Sequence, residues 1–240
     1  LEDRVVLGRG RRLQAIAGVD ARQARAHDDD VVVHTHGSSL LHNLVEMDEI
    51  RVRPATAGVF DDVATMLGPK NPTSSVCWCL SHRLDSRTNQ SLIGPARGEY
   101  MRELCGRDVA PGVLAYLDDV VVGWAAIAPR AQVPFARSRK IPNVDELPVW
   151  SVWCVRVRPG YRRRGVARAV LRGAVDYARK RGAPAIEGYP VDNQGQKVDL
   201  TMAYVGTRGL FESVGFTKVA DTSAVSGGFP RVVMRLHFAE

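Results

Sequence analysis

The sequence predicts a single α+β domain, a β-sheet with flanking helices. Segments in which apolar and polar residues alternate, as in strands, are interspersed with segments in which apolar residues recur every three or four positions, as in helices. Glycine and proline mark most of the boundaries between them. Of the 240 residues, 45% are hydrophobic and 25% are charged, the balance of an ordinary globular protein. No internal repeat is detectable, and we place the domain at residues 47–240.

Residues 1–46 differ from the rest of the chain. They contain a run of three aspartates at 28–30 and many small residues, and no strand or helix period is sustained beyond the short run at 31–33. The first methionine, Met47, stands immediately before a clear strand pattern. We therefore expect residues 1–46 to be a loosely ordered extension, or an upstream stretch that is not translated in the cell.

The first half of the domain predicts a strand, two helices and a hairpin. Residues 50–54 (IRVRP) alternate and end at a proline, which indicates a strand, and residues 59–67 (VFDDVATML) have helical spacing and end at a Gly-Pro pair. A polar stretch containing CWCLSHRL precedes a second helix at about 95–104. Residues 113–129 predict a hairpin, because two apolar runs are joined at Asp118-Asp119.

The second half alternates strands and helices. A proline-containing loop at 130–148 leads to a strand, VWSVWCVRV, that ends before Pro159. After an arginine-rich turn, a helix with separate apolar and basic faces runs to Gly182. AIEGYPV at 185–191 predicts the next strand, and a helix is expected near 204–214. Two strands, roughly FTKVA and RVVMRLHF, close the sheet.

Charge and hydropathy narrow the function classes. No stretch approaches the roughly 20 apolar residues of a membrane span, and the first residues do not form a secretory signal, so we expect a cytoplasmic protein without a membrane partner. The formal net charge is +7, and nine arginines and one lysine lie between Arg156 and Arg181 against the single acid Asp176. Such a cluster suits a polyanion, either a compact phosphate ligand or a nucleic acid.

The four cysteines predict no metal site. Cys77 and Cys79 are separated by a single residue, which is too tight for the usual zinc spacing, and no second pair completes a site. We expect four reduced thiols, with a reactive or metal-binding role for this pair as the alternative.

The turn RRRGVA, residues 162–167, stands between a strand and the basic helix. This order puts the first backbone N–H groups of the helix at the edge of the sheet, where they lack partners within the helix and carry the positive end of its dipole. Gly165 has no side chain to block a close approach. The turn therefore predicts an anion site.

The residues of this turn also resemble a known family. The signature of the GNAT superfamily of acyl-CoA-dependent N-acetyltransferases is Gln or Arg, two residues, Gly, one residue, then Gly or Ala, and it falls on Arg162, Gly165 and Ala167. The preceding V-x-V-x-P at 155–159 and the later LFESVGF at 210–216 resemble other parts of the family pattern. The order of elements from residue 50 to residue 238 fits as well.

The resemblance implies a mixed, mostly antiparallel sheet of six to seven strands whose central strands splay to form a cleft for CoA. Acetyl-CoA would be the acyl donor, with no metal. Val155 and Val157 would pair by backbone with the pantetheine arm, and basic side chains, Arg162 among them, would serve the phosphates. The backbone amides at the start of the helix would hold the diphosphate; these belong to Arg163, Arg164, Gly165, Val166, Ala167 and Arg168.

The chain departs from the family at the general acid. In many relatives a tyrosine four residues before the Gly-Phe protonates the departing thiolate, but here that position is Phe211, which cannot donate a proton. Tyr204, seven residues earlier on the same predicted helix, is our candidate, and Tyr189 is a second one.

For the base that deprotonates the amine, Glu187 is our candidate, because a strand rarely keeps an unpaired carboxylate. Glu187 is either paired structurally or raised in pKa for catalysis; Asp192 is the second choice, and His82 a weaker one.

The acceptor would be an amine on a small molecule or protein, contacted by the segments around CWCLSHRL and 130–148. Trp78, Trp150 and Trp153 would provide apolar walls. Two rival functions remain: an acyl-CoA-binding sensor without turnover, which Phe211 favours, and a nucleic-acid-binding module, which the scarcity of aromatic residues near the arginines disfavours. The sequence leaves the oligomeric state open, a homodimer included.

Overall fold

The computed structural model describes residues 31–33, 49–199 and 203–238. Within them there are five α-helices, and eight strands form one sheet. The strands are β1 (Val31–Val33), β2 (Ile50–Pro54), β3 (Gly112–Leu117), β4 (Val120–Pro129), β5 (Trp150–Val157), β6 (Ala185–Gly188), β7 (Thr217–Ser226) and β8 (Phe229–His237). The helices are α1 (Phe60–Leu67), α2 (Ser86–Ser91), α3 (Ala96–Cys105), α4 (Val166–Lys180) and α5 (Arg208–Glu212).

The strand order is β1-β2-β3-β4-β5-β6-β8-β7. Every neighbouring pair is antiparallel except β5 and β6, which are parallel and joined through α4. The predicted fold class, α+β with a mostly antiparallel sheet, is therefore confirmed. β1, at one edge of the sheet, comes from residues 1–46, and the other seven strands come from residues 47–240. Residues 31–33 of the expected loose extension thus form a strand, and the other residues of 1–46 lie outside the described part of the chain.

Two hydrophobic cores lie on opposite faces of the sheet. One core is formed by α4, which packs on β2 to β5 and on α5, and the other is formed by α1, α3 and the loops between them. The hairpin of β3 and β4 turns at Asp118 and Asp119, whose φ angles are 49° and 62°. Positive φ angles at both central residues are typical of a type I′ turn, whose twist matches that of the two strands.

Helix α4 is the longest helix of the described residues, with 15 residues. Its buried side chains recur at helical spacing along one face, as the sequence predicted. In the part of the chain that the structure describes, no helix has the length and apolar character needed to cross a bilayer.

Two elements differ from the sequence prediction. The strand expected at 185–191 ends at Gly188. The helix expected near 204–214 is interrupted: Ala203–Val205 is a short 3-10 turn, Gly206 adopts a φ of 78°, and Thr207 starts α5 by accepting the N–H of Leu210. The structure also has α2, which the sequence analysis missed although Asp85 caps it by accepting the N–H of Thr88.

Candidate active site

The central strands part at β5 and β6. These strands pair only from Trp150↔Ile186 to Val152↔Gly188, where β6 ends. β5 continues to Val157 and stays paired with β4 on its other side. The edge of residues 153–157 that faces away from β4 therefore has no strand partner among the described residues. This is the splay that the sequence comparison with the family predicted.

A cleft of about 850 Å³ opens at this point. Its floor includes the parted end of β5, with Val155 and Val157, and its far wall is the segment between α1 and α2 that contains the CWC motif. Residues from four parts of the chain line the cleft: Leu67, Gly68, Pro69, Val76, Cys77, Trp78, Cys79, Ser81 and His82; Cys154, Val155, Arg156, Val157 and Pro159; Arg162 and Ala167; Tyr204, Gly206, Thr207 and Leu210.

The N-terminus of α4 lies at one end of the cleft. Gly165 is the N-cap residue, with a φ of 82° and no side chain capping the helix. A Cβ atom at Gly165 would meet only the Ile50 side chain, at 4.0 Å, so the space beside it is open. Arg162 and Ala167 line the cleft on either side of this residue. The first N–H groups of α4 thus have no partner within the helix and face an accessible space.

Positive charge surrounds this helix terminus. Arg162, Arg163, Arg164 and Arg168 are exposed, and Arg156 lines the cleft. The Arg168 Nε donates to Ser213 Oγ at 3.2 Å, which holds its side chain beside α5. The positive charges of the guanidinium groups and the positive end of the α4 dipole lie at the same place. This place therefore suits an anion with more than one charge.

Tyr204 and His82 both line the cleft. Their ring centroids are 6.0 Å apart. Burial raises the pKa of Tyr204, so that its hydroxyl stays protonated at neutral pH. Burial, with Arg231 as the second cause, lowers the pKa of His82 to about 4, so that its imidazole is neutral. The cleft thus contains a phenol that can donate a proton and an uncharged imidazole next to it.

A sequence model of the Acetyltransferase (GNAT) family matches residues 82–197 of the chain. The matched range contains β3 to β6, α4 and the arginine turn. Residues 82–197 are thus recognised as a GNAT acetyltransferase domain.

Solved structures similar to the chain include three acetyltransferases. A protein from Bacillus cereus is 14% identical, with 80% of this chain and 99% of that chain covered and a TM-score of 0.46. A Salmonella typhimurium protein described as an acetyltransferase, solved with its cofactor acetyl-CoA, is 17% identical, with coverages of 80% and 95% and a TM-score of 0.44.

A GCN5-related N-acetyltransferase from Kribbella flavida is 19% identical at a TM-score of 0.42; the match covers 75% of this chain but only 36% of the Kribbella protein. The comparison with curated proteins found no match.

In this GNAT domain, Glu187 lies outside the cleft. It is 1% exposed, and its Oε1 accepts from Arg235 Nη2 at 2.6 Å and from Arg235 Nε at 3.0 Å. Its Oε2 accepts from the Tyr189 hydroxyl at 3.2 Å and lies 3.4 Å from the Arg130 Nε. Of the two roles that the sequence left open for Glu187, this placement favours the structural one.

Two more candidates of the sequence analysis, Tyr189 and Asp192, are also engaged elsewhere. Tyr189 is fully buried, and its hydroxyl is 2.8 Å from that of Ser151. Asp192 forms an ion pair with Arg208 at 3.1 Å. Neither residue lines the cleft. Tyr204 is thus the one tyrosine among the candidates that reaches it.

Phe211, at the position of the family tyrosine, is buried in the core. Its ring packs on Gly188, where a Cβ atom would approach to 2.0 Å, and edge-on against Phe216 at 5.0 Å. Phe211 therefore fills the space below the end of β6, and Gly188 is needed for that close contact. The sequence indicated that Phe211 is no acid; the structure shows that it does not face the cleft either.

Of the three tryptophans expected to form apolar walls for the acceptor, one lines the cleft. Trp78 lines the cleft together with the rest of the CWC segment, but Trp150 and Trp153 do not. Trp150 faces α4 and packs edge-on against Tyr177 at 5.9 Å, because β5 alternates its side chains between the two faces of the sheet.

The loop 130–148 supports the cleft wall from behind. Its Phe135 ring packs edge-on against His82, with the ring centroids 4.3 Å apart. No residue of this loop lines the cleft itself. The expectation that the loop and the two tryptophans contact the acceptor directly is therefore not supported by their placement.

Sequence reasoning missed one contact in the cleft. The sulfur atoms of Cys79 and Cys154 lie 2.8 Å apart. The single-residue spacing of Cys77 and Cys79 drew attention to that pair, whereas nothing in the sequence indicates that Cys79 meets a residue 75 positions later.

Proposed function

We propose that the protein is an acyl-CoA-dependent N-acetyltransferase that moves an acetyl group from acetyl-CoA to a primary amine by direct transfer in a ternary complex. The amine belongs to a small molecule or a protein. The observation that carries the proposal is the position of the open N-terminus of α4 at the end of the cleft between the parted strands β5 and β6.

The cofactor side of the cleft supports binding of a phosphorylated, extended ligand. The backbone amides of residues 163–168 would hold the diphosphate, and the exposed arginines would serve the remaining phosphate. The free edge of β5 at Val155 and Val157 offers backbone groups to the amide-containing pantetheine arm, which would add as a further strand. Acetyl-CoA supplies an activated acyl group as a thioester.

The chemistry requires a neutral amine and a proton for the thiolate that departs. Deprotonating an amine with a pKa near 10.4 costs about 4–5 kcal/mol of free energy at pH 7. A cleft that excludes water lowers this cost, because burial disfavours the charged form of the amine. Tyr204 is the proposed general acid, since it lines the cleft and its raised pKa keeps the hydroxyl protonated. We do not assign Glu187 a proton-transfer role, because its carboxylate is held by arginines outside the cleft.

The acceptor side of the cleft favours an apolar or aromatic amine. Leu67, Val76 and Trp78 supply apolar surface there, and His82 is uncharged at neutral pH. Among the described residues that line the cleft, none is an aspartate or a glutamate. A polyamine or an aminoglycoside would find no carboxylate partner on those walls.

Binding is tested by calorimetry with acetyl-CoA and the variant Gly165→Glu. The new carboxylate enters the anion site, and we expect a loss of about 2–3 kcal/mol, or roughly 30- to 150-fold in affinity. Gly182→Glu is the matched control, because Gly182 has a similar φ of 77°, has open space at its Cβ and follows the other end of α4. Equal affinities of the two variants would refute the placement of the diphosphate.

Turnover is tested by thiol release with a panel of amines: arylalkylamines, alkylamines, polyamines, aminoglycosides and peptide N-termini. We expect release with at least one of the less charged amines. Binding of acetyl-CoA without release on any amine would instead support the non-catalytic sensor, which is the function that the buried Phe211 favours. Weak binding of acetyl-CoA together with salt-sensitive binding of nucleic acid would support the other rival function, a nucleic-acid-binding module.

A further inference from the structure

Two thiols meet in the wall of the cleft. The Cys79 and Cys154 sulfur atoms are 2.8 Å apart, and both residues are buried, at 5% and 4% exposure. Cys79 lies in the loop between α1 and α2, whereas Cys154 lies on β5 immediately after the point at which β6 parts from it. The contact therefore joins the acceptor wall of the cleft to the strand that forms its floor.

The backbone of the loop holds Cys79 against the strand. Trp78 and Cys79 are consecutive residues with φ angles of 47° and 56°, a conformation that costs free energy for residues other than glycine. Packing stabilises it: the Trp78 ring stacks with Phe60 at a centroid distance of 6.3 Å, and the Leu80 N–H donates to the Cys77 carbonyl at 2.9 Å. The position of the Cys79 sulfur is thus set by the fold of the loop.

The environment shifts the pKa values of the two thiols in opposite directions. Burial raises the pKa of Cys79, but the hydrogen bond from Cys154 and the nearby Arg156 guanidinium outweigh it and lower the pKa below its usual range. The hydrogen bond to Cys79, together with burial, raises the pKa of Cys154 well above its usual range. A thiol with a lowered pKa next to a second thiol is an arrangement that favours thiol–disulfide exchange.

The pair is reachable by a small oxidant. Both sulfur-bearing residues line the open cleft, and Cys77, two residues before Cys79, is exposed. Within the described part of the chain, no group of three His, Cys, Asp or Glu residues has the geometry of a metal site.

We propose that Cys79 and Cys154 form a reversible disulfide bond in the wall of the cleft. A low-molecular-weight disulfide is the oxidant: the Cys79 thiolate attacks it, one thiolate of the reagent leaves, and the Cys154 thiol, as its proton is lost, displaces the second. The protein loses two electrons and two protons, and the reagent takes them up as it is reduced to two thiols. The bond closes the sulfur separation from 2.8 Å to about 2.0 Å.

The disulfide would fix the acceptor wall to β5. Before oxidation, the loop that contains Cys79 is joined to β5 by packing and hydrogen bonds alone; afterwards a covalent bond crosses the floor of the cleft. The proposal is independent of the transferase activity, because it needs only the two thiols and an oxidant, and it can be tested on the protein alone.

The test is peptide mapping of the folded full chain after incubation in glutathione buffers of increasing oxidation. Trypsin separates the two cysteines into peptides 71–83 and 141–156. We expect these peptides to be joined, two hydrogens lighter than their sum, and to separate again after treatment with dithiothreitol. Fragmentation of the joined peptide should place the bond on Cys79 and not on Cys77.

Three variants control the assignment. Cys77→Ser should keep the crosslink, and Cys79→Ser and Cys154→Ser should each abolish it. Cys105, a buried thiol on α3 whose pKa is raised to about 11 by burial, should stay reduced throughout. The proposal is overturned if the wild type shows no joined peptide while folded, if the bond maps to Cys77, or if the crosslink appears only after unfolding.

Discussion

Replacing Glu187 by alanine separates a structural carboxylate from a catalytic one. In the structure this side chain is the meeting point of Arg235, Arg130 and Tyr189 in the interior, outside the cleft. Glu187→Ala leaves two guanidinium groups without this partner. A base in the cleft would behave differently, since its loss would slow the reaction and leave the fold stable.

The expected magnitude follows from what each arginine retains. Breaking a buried ion pair by removing one partner costs about 3–5 kcal/mol. Arg235, which is 3% exposed, keeps its pair with Asp145, and Arg130 is 16% exposed and so partly hydrated. The cost therefore falls at the lower end, about 3 kcal/mol in the free energy of unfolding. For a domain of this size that corresponds to a decrease in Tm of roughly 6–12 °C.

The assay is denaturant and thermal unfolding followed by circular dichroism, with acetyl-CoA affinity measured on the folded fraction. Glu103→Ala is the matched control, because Glu103 pairs with Arg107 on the exposed face of α3, and its loss should cost less than about 0.5 kcal/mol. Glu187→Gln keeps the shape and the hydrogen bonding, and should be the milder of the two changes at this position. If Glu187→Ala were as stable as the control and yet lost turnover, the structural assignment would be wrong.

Three further outcomes are expected. Tyr204→Phe should lower kcat about 10²-fold with acetyl-CoA affinity unchanged, measured by thiol release with an accepted amine; a near-normal rate would remove the hydroxyl from the mechanism. His82, with its pKa lowered to about 4, makes the unfolded state bind more protons than the folded state between about pH 6.5 and 4, so stability should fall on acidification, by up to about 3 kcal/mol. His82→Gln should reduce that slope in unfolding curves, and an unchanged slope would contradict the burial of the imidazole. Gly188→Ala should cost about 1–3 kcal/mol, because the new methyl meets the Phe211 ring at 2.0 Å, and Phe211→Leu in the same chain should recover part of it.

The fold and the open N-terminus of α4 were largely predictable from the sequence, because both depend on short-range patterns. The spacing of apolar residues predicted α4, and the glycine turn before it predicted an open helix N-terminus. The hairpin at Asp118 and Asp119 was predicted from two apolar runs and a polar turn. Each of these is a property of fewer than about 20 consecutive residues, where backbone conformation follows local sequence.

The proton-transfer groups were harder to predict, since their roles depend on partners far along the chain. Glu187 in a strand looked equally suited to catalysis or to pairing, and only its contact with Arg235, 48 residues away, distinguishes the two. The helix expected to hold Tyr204 is broken at Gly206, yet Tyr204 still reaches the cleft, through a 3-10 turn that packs on β5.

By itself the sequence determined where most of the strands and helices lie and that a helix with an open N-terminus follows the strand ending at Val157. Those features are governed by hydrophobic periodicity and by the lack of a side chain at glycine, both of which are local. The tertiary structure decided which polar groups face the cleft and which face each other. It buried Glu187 between arginines and brought Cys79 to Cys154, because packing of the sheet sets contacts between residues that no local pattern connects.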